Sequence, residues 1–197
     1  MLKKFDMKSE IVQLLEGALD MNEKEKQAVA ECIPVVTFPK GHILLKEGQV
    51  SNESFFNVEG LVRKYYIVDG EEKTTDFYIE NDSISSLQSY NLMMPSNHYL
   101  ECIEESRLAI LSREREQELF ERVSGFESLC RVSVEEELGA YQDKLAQFMM
   151  SSPEKRYMDL MKNRPELLQR VPQYHLASYL GIKPESLSRI RKRITNR

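Results

Sequence analysis

The chain has 197 residues, is 41% hydrophobic and 30% charged, and carries a formal net charge of −5 with a mean hydropathy of −0.48. That is enough chain for one or two compact domains, and no apolar run approaches the ~20 residues that cross a bilayer. The balance hides an asymmetry: Pro153–Arg197 holds eleven Lys and Arg against four Asp and Glu, a balance of +7 that leaves −12 on the rest. A basic module on an acidic body suits contact with a polyanion; charge alone equally suits a solvated helical surface.

Residues 8–32 are expected to form one or two short helices. Ile11, Leu14, Leu15, Ala18 and Leu19 recur at helical spacing, Asp20-Met21-Asn22-Glu23 marks a break, and Asn22 suits a cap. The opening Met1-Leu2-Lys3-Lys4-Phe5-Asp6 lacks an apolar stretch of signal-peptide length, so a cytoplasmic protein without a membrane partner is expected. From Val35 to Leu111 short runs rich in β-formers (Val35–Phe38, Ile43–Leu45, Ser54–Val58) are punctuated by Gly41, Gly48, Gly60 and Gly70. Asp69-Gly70 between Leu61–Val68 and Lys73–Ile79 predicts a tight hairpin, because a type I′ turn needs positive φ. A small antiparallel barrel, sandwich or roll follows.

Helix returns from about Arg113 to Met150, a stretch without proline. Val134, Leu138, Tyr141, Leu145 and Phe148 step by four and three, a seam of about two heptads. The seam suits packing on its own domain as well as pairing with a twin helix. Ser152-Pro153 then caps and starts a new helix, with the domain boundary at about residue 151.

The most specific pattern spans Gln173–Arg193: helix, tight turn at Gly181, helix. Pro184 suits the head of the second helix. At about 100° per residue, Leu187, Ile190 and Ile194 make one apolar stripe that closes over Leu176, Leu180 and Ile182. The opposite face presents Glu185, Arg189 and Lys192, flanked by Ser188 and Arg193, and Glu185 is spaced to pair with Arg189. A packed inner stripe, an outer face able to reach base edges and basic residues toward the end are the requirements of a DNA-recognition helix. Arginine reads guanine O6/N7, and glutamate accepts from cytosine N4.

Leu180-Gly181-Ile182 with Glu185-Ser186-Leu187-Ser188-Arg189 resembles the helix-turn-helix of the Crp/Fnr superfamily of bacterial transcription regulators. Phe38–Leu44, Glu47-Gly48 and Phe56–Arg63 are similar to the first strands of that family's β-roll. The resemblance covers nearly the whole chain from about residue 30. It implies an α+β fold: an N-terminal antiparallel β-roll of the cyclic-nucleotide-binding, jelly-roll type with flanking helices (1–125), a long dimerisation helix (126–150) and a C-terminal helix-turn-helix domain (151–197). It also implies a homodimer on palindromic double-stranded DNA, with Glu185, Ser186, Ser188, Arg189, Lys192 and Arg193 toward the duplex. Val134, Leu138, Tyr141, Leu145 and Phe148 become its dimer interface. One basic position of the family at the head of the recognition helix is Pro184 here, so a different half-site is expected. Little chain follows that helix, so no β-wing is expected after it.

The ligand stretch departs from the family. Ser85-Ser86 stand where cyclic-nucleotide binders carry Gly-Glu, and Ser96-Asn97-His98 where they carry Arg and small neighbours. Ser83–Leu100 contains no Lys, Arg, Asp or Glu, and burying a phosphate without a cation costs several kcal/mol. Arg63 or Lys64 compensates only if its strand turns it inward, so cyclic AMP is not the expected effector. Ser85, Ser86, Leu87, Ser96, Asn97 and His98 are the candidate lining of a pocket for an unknown small-molecule effector, neutral rather than anionic. The alternative is a stretch filled by Tyr90, Leu92, Met93 and Met94.

No cofactor or metal is expected. Cys32, Cys102 and Cys130 are too few and too scattered for an iron–sulfur cluster or zinc site, and read as small buried apolar residues. Neither His42 nor His98 is marked as a haem ligand, and His175 is expected to face phosphate or solvent. A cupin-like metal enzyme lacks its cluster of His and carboxylate ligands, and no nucleophile–base set or phosphate loop appears. The remaining alternative is a ligand-sensing roll that regulates a protein partner without DNA. RNA polymerase is a conceivable partner for acidic loops, with no motif to identify them.

Overall fold

The structure, a computed structural model, describes residues 10–195; the opening Met1–Asp6 lies outside them. Two short helices, α1 (Glu10–Glu16) and α2 (Glu23–Cys32), come first. Asn22 caps α2 as expected: its side chain accepts from the Lys24 and Glu25 amides, and the Glu25 side chain accepts from the Asn22 amide. Ile11, Val12, Leu15, Ala28, Val29 and Cys32 bury together against Leu119, Val123 and Phe126, which ties both helices to the far end of the roll.

Eight strands follow in two antiparallel sheets: β1 (Val35–Phe38), β2 (Ile43–Leu45), β3 (Glu53–Glu59), β4 (Val62–Val68), β5 (Glu71–Tyr78), β6 (Ser83–Ile84), β7 (Tyr99–Cys102) and β8 (Ser106–Ser112). One sheet runs β1-β8-β3-β6, the other β2-β7-β4-β5. Asp69 (φ 53°) and Gly70 (φ 77°) make the predicted turn between β4 and β5. Leu45, Phe55, Val62, Tyr78, Ile84, Leu100 and Leu108 fill the space between the sheets. A short α3 (Leu87–Leu92) interrupts the strands after β6.

The helical stretch is split. α4 (Arg113–Arg122) is capped by Ser112, and Gly125, at φ 80°, turns the chain into α5 (Phe126–Met150). After it come α6 (Pro153–Asn163), capped by Ser152, α7 (Pro165–Arg170), α8 (Gln173–Tyr179) and α9 (Pro184–Thr195). Gly181 takes φ 69° between the last two. Among the described residues no helix is long and apolar enough to cross a membrane, and no three His, Cys, Asp or Glu gather as metal ligands. Cys32 and Cys102 are buried and Cys130 is half-buried.

The C-terminal domain does not stand apart. Leu61, Phe77 and Ile103 from the roll share one core with Tyr157, Leu160, Leu167, Leu176, Ala177, Leu180, Leu187 and Ile190. The cause is strand alternation: β4 points Val62, Lys64 and Tyr66 into the roll and Arg63 and Tyr65 outward, with Arg63 opposite Phe77 on β5. The outer face of the second sheet is therefore apolar and cationic, and α8 covers it.

Candidate nucleic-acid interface and roll cavity

α9 has the two faces its sequence requires. Leu187 and Ile190 are buried against Leu176 and Leu180, while Glu185, Ser188, Arg189, Lys192 and Arg193 are exposed. Ser186 is half-buried and accepts from Arg189 Nη2 at 3.2 Å. The expected Glu185–Arg189 pair does not form; the arginine turns back one residue short, toward that hydroxyl. Arg193 pairs with Glu154 at the start of α6 (2.7 Å), which braces α9 against its own domain. The head of α9 faces the β4–β5 hairpin across a cleft of about 1050 Å³ lined by Glu71, Glu72, Lys73, Lys183 and Glu185.

His175 contradicts the expectation of a phosphate- or solvent-facing residue. It is buried, and its Nδ1 accepts from Arg63 Nη1, because a guanidinium only donates. Arg63 itself is 2% exposed, bridges Glu72 and Glu101, and stacks over Tyr65 at 4.0 Å. Burial, and after it the Arg63 charge, pushes the His175 ring down to about 4. Around this centre Ser178 Oγ accepts from the Thr74 amide and donates to Glu72 O. Arg170 bridges Glu80 and Glu104, and its hydrogen bonds hold the Glu80 carboxyl at about 2. Nothing in linear spacing couples positions 63 and 175; the period-two pattern of β4 was the available signal.

The six candidate ligand residues, Ser85, Ser86, Leu87, Ser96, Asn97 and His98, all line one cavity of about 410 Å³ between the roll and α5. The stretch is not filled as the alternative had it: Tyr90 is buried and donates to Glu116, but Leu92, Met93 and Met94 are about half exposed. Lys64 turns inward and lines the same cavity with Tyr66, Tyr78 and Glu137. Burial lowers the Lys64 pKa against the pull of Asp76 and Glu137, and burial raises that of Glu137. His98 is 5% exposed; Nδ1 lies 3.0 Å from Asn97 Oδ1, and Nε2 meets no partner among the described residues. Burial, and then Lys64, drives this ring to about 4. The pocket thus has a mainly apolar wall and holds one cation, Lys64, together with one carboxyl, Glu137; Lys64 takes the inward position that the sequence left conditional.

The five seam residues of α5 are all 40–61% exposed and differ in their contacts within the chain. Tyr141 is engaged within the chain, donating to Asp76, which Lys144 also holds; Phe148 stacks under Arg156 at 4.2 Å and lies close to Gly181. Met149, 77% exposed, continues the outer stripe.

Residues 35–123 match the family model of the cyclic nucleotide-binding domain. Several solved structures share the architecture over both domains. FixK2 of Bradyrhizobium japonicum superposes with a TM-score of 0.66 at 15% identity, covering 83% of this chain and 85% of that one. The c-di-GMP-responsive global regulator CLP of Xanthomonas campestris gives 0.67 at 16%, covering 89% and 92%. A regulator of the crp/fnr family from Eubacterium rectale gives 0.67 at 17%, covering 89% and 84%. The fold is that of the Crp/Fnr regulators. No curated protein matches the chain by sequence. At such identities the Crp/Fnr likeness carries architecture, and this chain's own residues must decide its ligand and its DNA sequence.

Proposed function

We propose that the protein is a homodimeric, sequence-specific DNA-binding transcription regulator, not an enzyme, with α9 as its recognition helix. The observation that carries this reading is the sorting of α9: a buried Leu187–Ile190 stripe under an outer face of Glu185, Ser188, Arg189 and Lys192. The basic balance of the C-terminal quarter supplies the phosphate attraction, and the fold supplies the precedent. Two subunits pair through the exposed α5 stripe, and two α9 helices enter successive major grooves about 34 Å apart. The effector site is the roll cavity at Ser85, Ser86, Ser96, Asn97 and His98. It has no arginine among its lining residues and neither member of the Gly-Glu pair, and its one inward cation, Lys64, is already drawn by Asp76 and Glu137, so cyclic AMP is not the expected ligand. An effector there touches α5 and acts by shifting the population of dimer states.

The test is fluorescence anisotropy of purified protein on labelled random duplexes from 50 to 200 mM salt. Steep, log-linear weakening is expected. Absence of binding at 50 mM salt would overturn the reading in favour of a protein partner.

A further inference from the structure

A second cavity, of about 490 Å³, lies where three parts of the chain meet: α5, Thr75 on β5, and the α6 and α8 region of the C-terminal domain. Its walls are mainly apolar, from Leu145, Phe148, Leu160 and Tyr179. The volume is that of a small organic ligand.

The polar groups on its wall say what such a ligand carries. Arg156 Nε and Nη1 donate to Leu180 O (3.1 Å), Phe148 O (3.1 Å) and Ser151 O (2.7 Å). Carbonyls orient the guanidinium without neutralising it, and among the described residues no carboxylate pairs with it. Its Nη2 makes no hydrogen bond there, and stacking on Phe148 fixes the plane. The other lining charges are answered: Lys144 by Asp76, Arg164 by Glu166, and Asp159 by Lys155. The uncompensated charge is one cation beside an apolar wall.

A partner helix seated on the exposed arc of α5 would lie beside this space rather than in it. At about 100° per residue, Val134, Leu138, Leu145 and Met149 lie within roughly 60° of arc, whereas Tyr141, Lys144, Gln147 and Phe148 lie about 60–180° from Leu138. Of the three seam residues that line the cavity, Tyr141, Leu145 and Phe148, Leu145 alone lies within the exposed arc. The cavity looks inward, toward the C-terminal domain.

We infer that this cavity binds a small amphipathic organic anion, an apolar body bearing one carboxylate or sulfonate that pairs with Arg156. The occupant touches the roll, the dimer helix and the DNA-binding domain together, so it favours the arrangement in which all three walls are present. Its effect on DNA binding rests on the function proposed above; the binding itself does not.

The test is a DNA-free titration of the full chain with 1-anilinonaphthalene-8-sulfonate, followed by fluorescence, against N-phenyl-1-naphthylamine, which has the same rings and no charge. One saturable site per protomer is expected, with the neutral probe at least tenfold weaker. Thr75→Glu places a carboxylate on the wall at an exposed position and removes no side-chain hydrogen bond; it should weaken the sulfonate at least tenfold and spare the neutral probe. Leu92→Ser, on a distant exposed apolar patch, should change neither. Less than tenfold discrimination between the probes, an unchanged Thr75→Glu, or loss of the site in Leu92→Ser would each overturn the assignment.

Discussion

Arg189 and Lys192 sit one turn apart on the outer face of α9, and the proposed function gives them different work. With Arg189 at a base edge, Arg189→Ala should cost about 1–3 kcal/mol on the preferred site and relax one base position. Lys192→Ala should weaken all sequences alike and reduce the salt slope by about 1. Binding of both variants as tightly and selectively as wild type, measured by anisotropy across a set of sites, would contradict these roles. His175 gives a prediction of another kind. Its ring is held neutral, with a pKa near 4 against an ordinary 6.5, so its contribution to stability is complete above pH 6.5 and drains away as pH falls toward 4. His175→Gln keeps an acceptor for Arg63 and cannot take up the proton. Thermal melts from pH 7 to 4 should therefore fall less steeply in that variant; equal slopes would show that the ring contributes no such linkage. His175 is also where sequence reasoning failed. Its neighbours predicted a surface helix near DNA, and its partner lies 112 positions away on a strand.

Local elements were more legible, because their causes are local. Asn22, Asp69-Gly70, Ser152-Pro153 and Gly181 are caps and turns whose chemistry acts over two to four residues, and all four occur where the sequence places them. The α5 seam was only partly legible. Periodicity identifies an apolar stripe but not which neighbour takes each edge, and here the chain's own domains take Tyr141 and Phe148. In the proposed dimer the outer edge is the contact. Leu138→Glu with Leu145→Glu should leave the circular dichroism of the folded protomer unchanged, lower the melting temperature by the lost linkage to dimerisation, and convert a dimer into a monomer at micromolar concentration in sedimentation equilibrium. A wild-type monomer, or a dimer unaffected by both charges, would remove α5 from the interface.

For the whole molecule the fold class was legible from short strands, turn glycines and a terminal helix pair; the docking of the C-terminal domain on the roll was not. It depends on which face of β4 each charge takes: Arg63 outward to His175, Glu72 and Glu101, Lys64 inward to the cavity. Arg63→Ala leaves the mostly buried Glu101 without its cation and should destabilise by about 3 kcal/mol. Small-angle scattering should show a larger radius of gyration as the domains part; an unchanged radius and melting temperature would mean that the apolar contact of Phe77 and Leu61 holds the domains alone. The central claim, a dimer reading DNA through α9, is tested most directly by selecting binders from a random duplex library with purified wild-type protein. Enrichment of a two-fold symmetric site is expected, with half-sites centred about 10 base pairs apart and the base preference at one position lost in Arg189→Ala. A library that emerges without symmetry or sequence preference, from protein that binds the duplexes, would contradict it.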